Sequence, residues 1–180
     1  MSWTVDQAHT AIEFSVRHMM ISKVRGSFEQ FEINVQPDET NPSASVVEAK
    51  IATASINTRE AQRDAHLRSA DFFNAEAFPH MVFRSKSFTM QGSSRGVLVG
   101  DLTIRDVTRE VTLEVEYLGQ AKSPWGAVSA GFNASAKINR KDWGLEWNVA
   151  LETGGLLVGE EVEIHIETEL VKQPEAQAAA

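Results

Sequence analysis

Apolar and polar residues alternate with period two along most of this chain. Ile12, Phe14, Val16 and His18 share one face of a segment whose other face carries Glu13, Ser15 and Arg17. That spacing predicts a strand with one side against a core. Val24, Gly26 and Phe28 continue the pattern, then Phe31, Ile33 and Val35 resume it with shifted parity. The shift predicts a bulge at Glu29 and Gln30. Val47, Ala49 and Ile51 mark a further strand, and residues 81–89 another whose faces are less distinct. Leu98, Leu102 and Ile104, then Val111, Leu113, Val115 and Tyr117, read as two arms of a hairpin turning over residues 105–109. Val128, Ala130, Phe132, Ala134, Ala136 and Ile138 alternate with small or polar residues. Val162, Ile164, Ile166, Thr168 and Leu170 alternate with Glu161, Glu163, His165, Glu167 and Glu169.

These segments amount to about eight strands. Helical spacing appears once, over Glu60 to Ala70, where Ala61, Asp64, Ala65 and Arg68 recur on one side. Antiparallel strands with one short helix predict an all-β barrel or sandwich, and eight strands close around room for one small ligand. No linker or repeat divides the chain, so residues 1–172 are expected to form one barrel and residues 173–180 a flexible tail.

Two features bear on what fills the barrel. The 127–137 strand alternates Phe132 with Ala130, Ala134 and Ala136, which thins that wall, and the chain has nine Phe against one Tyr. Phenyl rings line an apolar space without a hydroxyl that needs a partner. The same alternation of large and small side chains also fills an ordinary core, so the pattern alone leaves both open.

Composition narrows the function. The formal net charge is −8 and no basic stripe is visible, which argues against nucleic acid and against strong electrostatic docking on anionic membranes. No run of 18 apolar residues offers a membrane-spanning helix. The absence of cysteine removes thiol catalysis, disulfides and cysteine metal sites together. Met1 leads straight into the first strand with no secretory leader, so the expectation is a cytoplasmic protein, periplasmic if a leader has been removed.

Candidate chemistry is sparse. His9, His18, His66, His80 and His165 show no metal-ligand spacing. His18 ends an inward strand face and His66 lies on the expected helix, so those two with an acid are the place to look for a metal-assisted enzyme at a barrel mouth. A structural histidine is the simpler reading, and no catalytic or metal residue is assigned. Asp64 and Arg68 at i,i+4 read as a helix ion pair. Arg63, Arg68 and Arg140 could meet an anionic head group with the guanidinium fork, although each also reads as a surface or loop-anchoring arginine.

The motifs become specific in series. Trp3-x-x-Asp6-x-x-His9-Thr10-x-Ile12-x-Phe14-x-Val16-x-His18, then Val24-x-Gly26-x-Phe28-x-x-Phe31, resemble the opening of the YceI-like, polyisoprenoid-binding family. Arg63-Asp64-x-His66-Leu67-x-Ser69-x-Asp71-Phe72-Phe73, Phe78-Pro79-x-Met81-x-Phe83, Gly100-Asp101-Leu102-Thr103-Ile104-Arg105 and Ile138-Asn139-Arg140-x-Asp142-Trp143-Gly144-Leu145 continue that resemblance in order. It implies an extended lipocalin-like antiparallel barrel that binds a long isoprenoid lipid, a polyprenyl phosphate or isoprenoid quinone, in an apolar tunnel, without catalysis and with no other cofactor. It also implies a possible homodimer. Carried onto this chain, Phe14, Val16, Phe28, Phe31, Phe72, Phe83, Phe132, Ala134 and Trp143 become the tunnel wall, and His18, Arg63, His66 and Arg140 the polar end. Asp106 stands where the family commonly has glycine, which bears on the turn. A packed structural or stress-related dimer and the mouth-site enzyme are the alternatives.

Overall fold

In the computed structural model, which describes residues 2–174, the chain is one antiparallel sheet curled into a barrel. The strands are β1 (Trp3–Val5), β2 (Ala11–His18), β3 (Ser22–Phe28), β4 (Phe31–Gln36), β5 (Val46–Ala52), β6 (Ile56–Asn57), β7 (His80–Met90), β8 (Arg95–Ile104), β9 (Val107–Lys122), β10 (Val128–Asn139) and β11 (Val158–Lys172). One helix, α1 (Ala61–Arg68), follows β6. Glu60 caps it, its carboxylate accepting from the Gln62 and Arg63 amides.

The eleven segments trace eight long strands, because three of those strands are interrupted. A short 3-10 turn parts β1 from β2, another parts β5 from β6, and Glu29–Gln30 part β3 from β4 where the parity shift predicts a bulge. Two bonds bridge that last break, Glu29 N to Ser55 O at 3.2 Å and Ala52 N to Gln30 O at 2.9 Å. The paired order β4-β5-β7-β8-β9-β10-β11-β2-β3-β6 therefore returns on itself, since β3 runs into β4 and β5 into β6. Between β1 and β4 the wall is joined by side chains. Trp3 Nε1 donates to Glu39 Oε1 at 2.9 Å, and Val35 packs on the cluster around Trp3.

The β8–β9 connection is tighter than the sequence suggests. Ile104 pairs with Val107, so the turn is Arg105-Asp106 alone. Its left-handed residue is Arg105, at φ 57°, and not Asp106, so the missing glycine at 106 is tolerated.

The interior holds two apolar clusters. The larger, around Phe28, Phe83, Leu102, Leu113 and Trp143, fills the end that carries α1. The smaller, built on Trp3, Ala130 and Leu170, fills the end where the termini meet. Between them Thr168 faces inward and its hydroxyl bonds that of Thr10 at 2.9 Å. Gln173 N donates to Ser2 O at 2.8 Å; the rest of the expected tail, residues 175–180, lies outside the described residues.

Candidate binding site

The two halves of the inner wall differ. On β7, β8 and β9 the inward residues Met81, Phe83, Leu98, Leu102, Ile104, Val111 and Leu113 are buried. On β2, β4, β10 and β11 Ile12, Ala130 and Leu170 are buried, but the inward residues Phe14, Val16, Phe31, Ile33, Ala134, Ala136, Ile138, Ile164 and Ile166 are only half-buried, although their strand neighbours already point outward. Phe14, Phe31, Ile33, Ala134, Ala136, Ile138 and Ile166 pack against the larger cluster, but less completely than a close-packed core covers its residues. The twelve residues of β10 run about 40 Å along the strand. At a barrel tilt of roughly 35–45° that makes an interior about 30 Å deep.

Glycines let rings lie flat on this wall. Gly26 stands opposite Phe14, and a Cβ there would collide with the Phe14 ring and approach Thr58 Cγ2 to 2.9 Å. Gly100 does the same for Phe83, whose Cζ lies 2.5 Å from where its Cβ would be.

The α1 end is closed by a plug made of α1, the loop over residues 69–79 and the segment over residues 140–157. Trp143 anchors it, its indole N–H donating to Leu102 O at 2.9 Å. Phe73 meets Phe28 edge-on at 5.7 Å and Phe28 meets Phe14 at 5.5 Å, so plug and wall share one aromatic stack.

Of the residues expected on the wall, Phe28, Phe72, Phe83 and Trp143 are buried core members, while Phe14, Phe31 and Ala134 border them half-buried. Phe132 belongs to the smaller cluster, 5.3 Å from Tyr117. Phe72 is part of the plug and stands on no strand. Val16 is half-buried near the end of β2.

The expected polar residues do converge on the plug, but their donors are largely engaged by the protein. Arg140 Nε donates to Gly159 O at 2.8 Å, Nη1 to Leu145 O at 2.5 Å and Trp147 O at 3.1 Å, and Nη2 to Val158 O at 3.3 Å. Its guanidinium lies 5.9 Å over the Phe72 ring. Burial pushes its pKa below the ordinary arginine value, and the carbonyls replace the lost water. Arg63 donates from Nε and Nη2 to Thr58 Oγ1 and O, both at 2.8 Å. Asp64 differs from its helix-pair reading. It is buried and accepts from Thr58 N at 2.9 Å and Thr58 Oγ1 at 2.5 Å. Residue 58 precedes the helix, so this network ties α1 to the end of β6.

His66 bonds Asp71 at 2.9 Å and meets Trp147 and Phe72 edge-on at 4.4 and 5.2 Å. His18 pairs with Val158 across β2 and β11, the residue whose carbonyl Arg140 holds. Thr58, Trp147 and Asn148, which clasps Val158 through two bonds, are parts of this end that alternation does not reveal, since all three lie off the long strands.

Among the described residues, the one group of His and carboxylate side chains close enough to share a metal is Asp6, His9 and Glu169. It lies where the turn between β1 and β2 meets Glu169 of β11, away from His18 and His66. Its geometry serves that turn: Asp6 accepts from Ala8 N at 3.0 Å and from His9 Nδ1 at 2.7 Å, and Thr10 Oγ1 donates to Asp6 O at 2.7 Å. The hydrogen bond to His9 lowers the Asp6 pKa, and the same bond raises that of His9.

Residues 3–170 match the YceI-like domain. The chain belongs to the YceI-like family. A UPF0312 protein of Staphylococcus aureus (strain N315) is 40% identical over 169 residues, covering 93% of this chain and 96% of that one. The YceI protein of Campylobacter jejuni superposes with a TM-score of 0.74 at 30% identity over 97% of this chain and 99% of its own. Two more distant solved proteins share the fold. BcnA of Burkholderia cenocepacia has a TM-score of 0.78 at 21% identity, over 92% of this chain and 98% of its own. A polyisoprenoid-binding domain from Saccharophagus degradans has a TM-score of 0.64 at 12% identity, over 97% and 99%. With the YceI-like fold in view, the Trp3-to-Thr10 motif reads as the clamp between β1 and β2, and Asn139-Arg140-x-Asp142-Trp143 as the plug's anchor.

Proposed function

We propose that this YceI-like chain holds one long isoprenoid, a polyprenyl phosphate or an isoprenoid quinone, in its barrel and carries or sequesters it without chemistry. The observation that supports this reading is the stretch of apolar inner wall on β2, β4, β10 and β11 where Phe14, Phe31, Ala134, Ala136 and Ile166 are only half-buried. Each buried methylene contributes about 0.8 kcal/mol, so contacts along such a wall hold a long hydrocarbon without a strong polar anchor. Ala134 and Ala136 thin the wall on that side, which leaves room for an alkyl chain along it.

The head group lies, in this reading, beside His66, Trp147 and Phe72. A quinone fits there better than a phosphate, because Arg140 and Arg63 already spend their forks on carbonyls and Thr58. The fold shared with the Saccharophagus degradans domain makes isoprenoids the first ligand class to test. The test is titration of lipid-stripped protein with a polyprenol and with a long-chain quinone, reading stoichiometry. Uptake of one molecule per barrel supports the proposal, and no uptake of either class contradicts it.

A further inference from the structure

The hairpin joining β2 to β3 turns on two methionines. Met19 and Met20 have φ of 52° and 61°, and Ile21 N donates to His18 O at 3.2 Å. Both central residues of this turn are left-handed, a geometry that Asn-Gly or Gly-Gly takes without strain. Unbranched but bulky methionines at such positions are uncommon. The strained turn holds three apolar side chains out in water, with Met19, Met20 and Ile21 exposed by 42, 66 and 79%.

A second loop extends the same rim. Met19 N donates to Leu157 O at 2.8 Å and Leu157 N to Val149 O at 2.9 Å, and the Met20 sulfur sits where a side chain at Gly155 would begin. Val149 and Leu156 of that loop are also exposed. Single exposed apolar residues are ordinary, but a contiguous group marks a contact surface.

Charge also bears on the partner. Between Val16 and Arg25 the hairpin carries Arg17, Lys23 and Arg25 and no acid, in a chain of net charge −8. Lys23 is partly engaged by Glu163 at 3.4 Å, and the second loop adds Glu146 and Glu152. An apolar tip with Arg17, Lys23 and Arg25 beside it suits the interface of a bilayer, held by its apolar side chains more than by charge. We propose that this rim docks on a lipid bilayer, Met19, Met20 and Ile21 entering the acyl boundary while Arg17 and its basic neighbours meet the head groups. The inference rests on the carrier reading for its purpose, since a lipid too apolar for water exchanges where protein meets membrane.

The chain has no cysteine, so one reporter can be placed cleanly. Ile21→Cys and Trp125→Cys, the latter at the 91% exposed tip of the β9–β10 hairpin at the opposite end, are each labelled with an environment-sensitive fluorophore. They are mixed with vesicles of phosphatidylcholine and phosphatidylglycerol. The expected result is a blue shift at position 21 and none at 125, with Ile21→Ser lowering vesicle co-sedimentation of unlabelled protein about tenfold. No shift at 21, or equal shifts at both ends, overturns the proposal. So does a shift at 21 that needs only higher protein concentration, which would mark a contact between two copies. Isoprenoid content is measured on the same samples by solvent extraction. Protein that carries isoprenoid but ignores vesicles overturns the docking alone, and protein that docks but takes up no isoprenoid overturns the carrier reading alone.

Discussion

Phe14 and Gly26 face each other across β2 and β3, and the phenyl ring occupies the place where a side chain at 26 would start. The ring is held flat on the inner wall, half-buried and stacked on Phe28. Gly26→Ala forces it toward the barrel interior, because Thr58 blocks the other side. The expected cost is about 1–3 kcal/mol of stability, read by urea unfolding. In the double variant with Phe14→Ala, the two losses should fall short of their sum. Strict additivity would mean that the ring does not rest on residue 26.

Arg140 anchors the plug more than it waits for a ligand. Arg140→Lys removes the fork and leaves several carbonyls without donors, which should lower stability on the order of 3 kcal/mol. Thermal unfolding checks this. A variant of unchanged stability but altered preference between phosphate and quinone would assign the side chain to the ligand instead.

Ala134 lies opposite Val115 and Ile166, half-buried on the inner wall. Ala134→Phe should cost about 1–3 kcal/mol of stability and leave a folded protein that has lost most of its isoprenoid uptake. Full uptake by a folded Ala134→Phe protein would place the chain elsewhere.

The Asp6–His9 pair makes a small pH-dependent contribution. The raised His9 pKa gives stability that is full below the unfolded imidazole value and is lost as pH rises through the folded one. The lowered Asp6 pKa gives stability present above the unfolded carboxylate value and lost as pH falls through the folded one. The pair therefore acts most between the ordinary carboxylate and imidazole ranges, about pH 4 to 6.5. The melting-temperature advantage of wild type over His9→Gln should be larger at pH 5.5 than at pH 8. Equal differences at both pH values would show that the pair is not charged in that window.

Period-two alternation made the strand faces legible, since side chains point to opposite sides whatever the partner strand is. The parity shift after Phe28 marked the break at Glu29–Gln30, and the helical run from Glu60 marked α1. What alternation could not convey is where a side chain's distant partners lie. Arg140 takes carbonyls up to 19 positions away, and Asp64 turns to Thr58 in place of Arg68. The family's motifs pointed to this end of the barrel through His66 and Arg140, but their engagement with Phe72, Trp147 and Val158 depends on a plug formed from loops, where spacing carries no periodic signal.

Mass spectrometry of an organic extract, from protein isolated from its native host without added lipid, decides first whether the barrel carries an isoprenoid. One isoprenoid per barrel is expected, released by solvent and depleted in Ala134→Phe. An extract without isoprenoid, from protein that also fails to take one up in vitro, would contradict the carrier reading and leave the barrel as a packed scaffold.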